Sequence, residues 1–512
     1  MRTTTLPLAA ALLAFAFVAT TAPAQTTAAI KAPDTSSTGP AAAKPGTFDD
    51  IVKQIKNPTD WLSWGGDIRV RNEYYNNIVS LSSASAISEQ DVVRYRGRVW
   101  TSLTPVTNVT FNSRVTAEPW LSIKPSFTTA DTGNSGMEWR YGIVDNLNMK
   151  LNNMFNLPLT LIAGRQDIML GDYYDWWLVS DGTPGDGSKT FFLDSIRLSG
   201  EAKGIKTKFD LIYIYQNAKP DGMLPIIGSS SYVHPDLNVR TDYQLTEQNE
   251  QGVVAYVSNT SIKNTQLDGY FIYKRDDRQT FERLGADRVY GDNANIYTLG
   301  GKVTGTPEEH WQYSAEGAYQ LGNKQDTILG TFADRDIEAY AGKGKLTYLF
   351  KDQFNCQLAL NGEYLSGDNP KTTGHDEMFD ILWGRWPRWS ELYIYSYIEE
   401  TGGKIAQMNN LIRFGPSWTC TPIKGLTASL MYNALFAPED TPTRDITGTS
   451  SSNPEEFSKD GNFRGHYLQA VLKHKFNDHV SAHLWGEWIW EGNYYAQRNL
   501  MTFLRAEVMF TF

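Results

Sequence analysis

Trp64-Gly65-Gly66-Asp67-Ile68-Arg69-Val70-Arg71-Asn72-Glu73-Tyr74-Tyr75 is the stretch that decides the fold. Taking every second residue puts Trp64, Gly66, Ile68, Val70 and Tyr74 on one face and Asp67, Arg69, Arg71 and Glu73 on the other. Period two is strand geometry, because successive side chains of a pleated chain point to opposite faces. A soluble strand with its apolar face in a core gives the same pattern. The discriminating feature is how often it recurs with a heavily charged partner face.

It recurs along the chain. Val93, Tyr95, Val99 and Leu103 oppose Arg94, Arg96 and Arg98, and Val109, Phe111 and Val115 oppose Arg114 and Glu118. Leu267, Phe271 and Tyr273 oppose Asp268 and Lys274; Tyr297, Leu299 and Val303 oppose Lys302; Tyr313 and Tyr319 oppose Glu316 and Gln320. Tyr340, Leu346 and Tyr348 oppose Lys343 and Lys345, and Leu358, Leu360 and Tyr364 oppose Asn361 and Glu363. Short connections (104–108, 258–264, 304–309, 351–355, 421–425, 477–479) alternate with long ones (76–91, 119–137, 217–250, 276–294, 322–335, 366–408, 437–462). Short turns at one end and long loops at the other is the layout of an outer-membrane barrel. Structureless loops of that length are foreign to a compact soluble domain. The predicted fold class is all-β, a transmembrane antiparallel β-barrel of about eighteen strands, wide enough for an aqueous channel. The last strand fits this reading: Thr502, Leu504, Ala506, Val508, Phe510 and Phe512 form an apolar face ending on an aromatic, with Arg505 and Glu507 opposite.

The rest of the chain supports the same compartment. Arg2, the apolar run 6–18 and Ala22-Pro23-Ala24 follow the order of a secretory signal peptide, so 1–24 is expected to be removed. Residues 25–60 read as a flexible linker with a short helix over 47–57, and 61–512 as the barrel. Mean hydropathy is −0.41, which a barrel shares with soluble proteins because only alternate residues face lipid. The 27 Tyr, 23 Phe and 15 Trp suit aromatic girdles at the two membrane interfaces. A net charge of −10 argues against a nucleic-acid partner.

The inward faces carry the candidate function. The predicted lumen residues are Arg69, Arg71, Arg94, Arg96, Arg98, Arg114, Arg165, Lys302, Lys343, Lys345, Arg413 and Arg505, with Asp67, Glu73, Glu316, Glu363 and Glu507 among the compensating carboxylates. Arg94, Arg96 and Arg98 place three guanidiniums on one face about 6.5–7 Å apart. Rings of Arg and Lys select anions in pores, and the guanidinium fork matches a carboxylate. The alternative is a salt-bridge ladder that stiffens the wall and leaves no net field.

Other chemistry finds little support. There is no GxSxG elbow, no HExxH or CxxC, and no Cys/His cluster with ligand spacing, so neither a catalytic residue, a metal nor a cofactor is expected. His466, His474, His479 and His483 fall in one predicted hairpin. Paired carboxylates for glycoside cleavage stay open as an outer-membrane hydrolase reading. Cys356 and Cys420 lie near the ends of consecutive predicted strands on outward faces, and a disulfide between them suits an oxidising compartment.

Gly65-Gly66-Asp67-Ile68-Arg69-Val70-Arg71, Gly164-Arg165-Gln166 with Gly171-Asp172, Phe192-Leu193-Asp194-Ser195-Ile196-Arg197, Ala315-Glu316-Gly317-Ala318-Tyr319-Gln320 and Gly362-Glu363-Tyr364-Leu365-Ser366-Gly367-Asp368 resemble, in this order, segments of the bacterial alginate-export porin family. The resemblance implies a monomeric eighteen-stranded barrel in the outer-membrane lipid, passing an anionic polysaccharide through an electropositive lumen and served by periplasmic export partners. Trp383, Arg385, Trp386, Arg388 and Trp389 form a Trp/Arg-dense loop, readable as a sugar-contacting lid or as an anchor at the lipid headgroups. The alternatives to polysaccharide passage are a general anion or nutrient porin, and a structural barrel.

Overall fold

Why a chain with this alternation closes on itself follows from lipid: an open sheet edge in hydrocarbon leaves amides and carbonyls unpaired, and closure removes the edge. The computed structural model describes residues 52–53, 55–78, 81–83, 85, 88–124, 137–138, 142–170, 179–180, 192–218, 232–234, 239–241, 248–283, 286–328, 331–384, 389–401, 409–443 and 456–512. The signal-peptide expectation and most of the linker expectation lie outside the described residues. The chain divides into two units, Met1–Pro58 and Thr59–Phe512. In the first, residues 52–53 and 55–56 are helical, and the Asn57 amide donates to the Lys53 carbonyl at 3.1 Å.

The second unit is a closed antiparallel barrel of eighteen strands. They are β1 (Leu62–Asn76), β2 (Glu89–Val106), β3 (Val109–Ala117), β4 (Ile143–Leu151), β5 (Leu159–Gln166) and β6 (Leu193–Ala202), then β7 (Thr207–Gln216), β8 (Asn249–Asn259), β9 (Thr265–Asp277), β10 (Asn293–Glu308), β11 (Trp311–Ile328) and β12 (Thr331–Leu349). β13 (Gln357–Leu365), β14 (Leu411–Ile423), β15 (Leu426–Phe436), β16 (Phe463–Lys475), β17 (Val480–Glu491) and β18 (Leu500–Thr511) complete it. Each pairs with the next, and β18 pairs back with β1, so that Arg71 lies opposite Arg94 on one side and Glu507 on the other.

Closure depends on Gly66 and on the last residue. Phe512 exchanges backbone hydrogen bonds with Gly66 at 3.0 and 3.3 Å. A Cβ on Gly66 would stand 2.6 Å from the Phe512 ring, so Gly66 makes room for the terminal aromatic. Trp64 meets the same ring edge-on at 5.5 Å.

Outward faces are apolar and bounded by aromatics. Leu211, Phe271, Leu299, Leu346, Leu360 and Leu430 are exposed on the outer surface. Tyr213, Tyr297, Tyr319 and Tyr340 sit toward one rim, and Trp311, Tyr348, Phe350 and Trp418 toward the other. From Tyr340 to Tyr348 along β12 is about 27 Å at 3.4 Å per residue. With the usual tilt near 40° this projects to about 21 Å, close to the height of an outer-membrane apolar band.

Tight connections at 107–108, 203–206, 309–310, 350–356 and 424–425 close one end, with Asn108 and Gly425 in the left-handed region (φ 69° and 85°) that such turns demand. β16 and β17 form the hairpin that holds the four histidines. The expected long loop at 322–335 is not one. β11 and β12 continue as a paired hairpin to Ile328 and from Thr331, in register from Trp311↔Tyr348 to Ile328↔Thr331. Cross-strand pairing overrides the polar, glycine-containing composition that reads as a loop.

Candidate functional site: the lumen and its inserted segment

The inward faces of β1, β2 and β18 stack charged residues in register. Arg98 Nε bonds Asp67 at 2.8 Å, and Arg96 Nε lies 3.4 Å from the same carboxylate. Arg69 reaches Glu118 (3.2 Å), and Arg71 reaches Glu73 and Glu507 (both 3.0 Å). Arg94 joins Glu73 (3.2 Å) to Glu118 (3.4 Å) while its guanidinium lies over the Trp120 ring at 4.5 Å. Arg505 spans Glu73 (2.6 Å) and Glu391 (2.8 Å). Arg69, Arg71, Arg94, Arg96, Arg98 and Arg505 thus meet Asp67, Glu73, Glu118, Glu391 and Glu507, leaving one net positive charge among the described residues. Coulomb repulsion between neighbouring guanidiniums is absorbed locally, and the ladder is predominantly an ion-pair lattice.

Elsewhere lumenal cations meet one or two carboxylates each. Lys343 meets Glu316 at 2.9 Å, Arg413 bonds Glu363, and Lys274 contacts Asp276 (3.0 Å) and Glu250 (3.4 Å). Lys302 is buried opposite Asp268 in register. Two places differ. Arg98, bonded to Asp67, and Arg114, bonded to Asp145 (2.8 Å) and Asp167 (2.7 Å), still keep part of their surface open on a cavity of about 370 Å³ that Ser102, Asn112 and Asn146 also line. Lys345 is exposed, has no carboxylate partner among the described residues, and lines a cavity of about 650 Å³ with Gln266, Thr304, Ser314, Thr347 and Gln357. Both cavities combine cations with hydroxyl and amide side chains, the groups that hydrogen-bond a sugar and attract its carboxylate.

The segment between β13 and β14 crosses this lumen. Gln320 on β11 holds Asp380 by its backbone amide (2.8 Å) and carbonyl (2.6 Å), and Trp383 packs fully buried against Gly252 on β8. Across the barrel the chain forms helix α1 (Leu392–Glu400). Three of its N-terminal amides are met: Glu487 of β17 accepts from the Glu391 amide (2.9 Å), the Leu392 amide (3.0 Å) and the Ser390 hydroxyl (2.5 Å), while Ser390 Oγ accepts from the Tyr393 amide (3.2 Å). A carboxylate at a helix N-terminus also complements the helix dipole. At the other end Glu400 takes both terminal nitrogens of Arg464 (2.7 and 2.6 Å) and the Tyr494 hydroxyl (2.7 Å). Leu392, Tyr393, Ser396, Tyr397 and Glu400 form one face of the helix and are buried, and Ile394 beside that face is buried too, so α1 is packed over about half its circumference inside the barrel. The segment bridges β8 and β11 to β16, β17 and β18, and the interior core is built around it.

Comparison with known proteins places this barrel. The alginate-export family model matches residues 238–507. That is just over half of the chain. The chain belongs to the alginate-export family. No curated protein matches it. Among solved structures it is similar to Acinetobacter baumannii OccAB2 (11% identity, 88% of this chain and 98% of that one, TM-score 0.51) and Acinetobacter baumannii OccAB1 (10%, 88% and 96%, 0.50). At that identity the likeness concerns the barrel fold. Family and fold together make this an outer-membrane channel protein.

Within this alginate-export barrel two sequence expectations are corrected. Arg165 is not a lumen residue. It lies in register with Leu147 and Asp194, on the face shared by exposed Leu147 and Ile196, and bonds Asp194 at 2.9 Å. Its strand has no other charge to fix which face points inward. Trp383 and Trp389 are buried in the inserted segment (0% and 2% exposed), which removes them from any headgroup belt; Arg385, Trp386 and Arg388 lie outside the described residues. Arg464, like Lys274, Lys324 and Arg335, is missing from the predicted lumen residues. Arg464 falls on the lipid side by alternation, but Gly465 adopts φ 139° at a register shift and turns Arg464 inward. The Gly465-His466 step was its only sequence signal. Cys356 is half-buried and Cys420 buried.

Proposed function

We propose that this alginate-export family protein passes an anionic polysaccharide or its oligosaccharides across the outer membrane by diffusion through the lumen. The observation that carries the reading is Lys345, an ammonium without a carboxylate partner among the described residues, in a cavity lined mostly by hydroxyls and amides. Arg98 and Arg114, partly open on the second cavity, offer two further sites for uronate carboxylates along the path. Binding at such sites is weak and repeated, which suits conduction, since a path must be favourable to enter and easy to leave. The ion-pair lattice of β1, β2 and β18 keeps that wall rigid under the load of its own charges. The inserted segment sets the width of the passage. The protein acts as a monomer without a cofactor or a catalytic step, is delivered by a signal peptide over 1–24, and receives polymer from periplasmic partners.

Liposome swelling tests this reading. Vesicles carrying the protein are diluted into oligouronates or into neutral oligosaccharides of equal size. Faster entry of the oligouronates supports it. Equal rates would leave a general porin, and cleavage of the sugars would turn the reading toward a hydrolase.

A further inference from the structure

Cys356 and Cys420 are neighbours across two strands. β13 and β14 pair as Gln357↔Thr419 and Leu358↔Trp418, so one step further along the same register Cys356 faces Cys420. Cys356 spends its backbone groups elsewhere: its amide donates to Asp352 at 2.8 Å and its carbonyl accepts from the Phe350 amide at 3.0 Å. The two cysteines are therefore a non-hydrogen-bonded antiparallel pair, the kind whose Cα atoms approach to about 4.5 Å. That spacing falls inside the range a disulfide bridges. Both side chains share one face, that of exposed Leu358 and Trp418, so the Cβ vectors are not opposed.

We propose that Cys356 and Cys420 form a disulfide in the mature protein. In the reaction the two thiols lose two electrons and two protons to a disulfide of a protein oxidant in the same compartment. The oxidant is reduced to its dithiol, and one S–S bond is exchanged for another. The folded, reduced pair is a poor substrate for this. Burial first, then the Cys420 thiol and Asp352, push the Cys356 thiol up to about 12, and only the thiolate attacks. Cys420 is also only 5% exposed.

What it ties together gives it a role. The chain between the two cysteines consists of β13, the segment that crosses the lumen, and β14. The bond fastens this hairpin at the end where the two strands leave the crossing segment behind. The wall there stays shut whether the crossing segment is docked or displaced.

The test is thiol counting on full-length protein isolated in outer membranes. The protein is denatured without reductant and treated with a polyethylene-glycol maleimide. The expected result is no added mass before reduction and two adducts after it, with one disulfide-linked peptide pair in the non-reducing digest. Cys356→Ser is expected to give one adduct without reductant while the barrel stays resistant to unheated detergent. Two adducts on the wild-type protein before reduction would overturn the proposal. The outcome is independent of conduction, so either result leaves the channel reading standing.

Discussion

Replacing Glu487 should loosen the segment that crosses the lumen without opening the barrel wall. Glu487 is buried, and its two oxygens accept from Ser390, Glu391 and Leu392 at the start of α1, besides Gln469 (3.3 Å) and Trp485 (2.5 Å) on the wall. Alanine leaves the three donors of the inserted segment without an acceptor. Each buried donor so stranded costs about 1–3 kcal/mol. Because the three share one acceptor they do not add fully, and about 3–5 kcal/mol is the expected loss of docking free energy. At 1.4 kcal/mol per factor of ten, the undocked population rises by about 10²- to 10⁴-fold. Glu487→Gln keeps one acceptor oxygen but turns an N–H toward the same donors, so its effect is smaller and of the same sign. Single-channel recording reads the change as longer or larger open states in the order alanine, glutamine, wild type. Migration in unheated detergent checks that the barrel is intact. Identical traces for all three proteins, with the barrel folded, would refute the view that Glu487 holds the segment in the lumen.

Three further outcomes follow from named contacts. Lys345→Ala removes an exposed charge with no carboxylate partner among the described residues. Such a contact is worth about 0.5–1 kcal/mol, so titrating the current with oligouronate should show block weakened by about 2- to 5-fold while block by neutral sugar is unchanged. Gly252→Leu puts a side chain where even a Cβ would stand 2.7 Å from Trp383 and 2.0 Å from the Tyr273 carbonyl, so it should displace Trp383, seen as a red-shifted tryptophan emission. The third concerns pH. Asp368 is raised to about 7 by burial, then by the neighbouring Asp376 charge, against the pull of Arg335 and Lys324, while Asp376 itself is lowered because Lys324 and Arg335 outweigh its burial. A carboxyl whose folded value exceeds its unfolded one stabilises the fold most below the unfolded value and loses that contribution as pH rises through the folded value. The Asp368 contribution to packing of the 366–384 segment on β11 and β12 is therefore expected to fall between about pH 4 and 7. Hydrogen exchange in that segment should speed up across this window in the wild type, and much less in Asp368→Asn.

Much of the barrel was legible because lipid imposes alternation strand by strand. The face containing Ile68 and Val70 and the face containing Arg69 and Arg71 can be read without knowing any partner. What could not be read depends on distant chain. The helix sequence Leu392-Tyr393-Ile394-Tyr395-Ser396-Tyr397-Ile398 is aliphatic or aromatic at every position but Ser396, because α1 is packed inside the barrel rather than laid on a surface. Its N-terminal acceptor, Glu487, is 95 positions from Leu392 in sequence. Charge balance was equally hidden: the Arg94, Arg96 and Arg98 ladder reads as a positive stripe, and only the register with β1 and the approach of Glu118 reveal how it is neutralised. Arg464 and Arg165 show the limit of parity counting, since one glycine bulge reverses a face and an uncharged strand gives no inward mark.

The central claim is that the lumen favours anionic sugars, and reversal potential in a planar bilayer tests it most directly. The purified protein is placed in a salt gradient, and then oligouronate or a neutral oligosaccharide of similar size is added. Anion-selective reversal, with block by the oligouronate alone, is the predicted result. Cation-selective reversal, or equal indifference to both sugars, would contradict it.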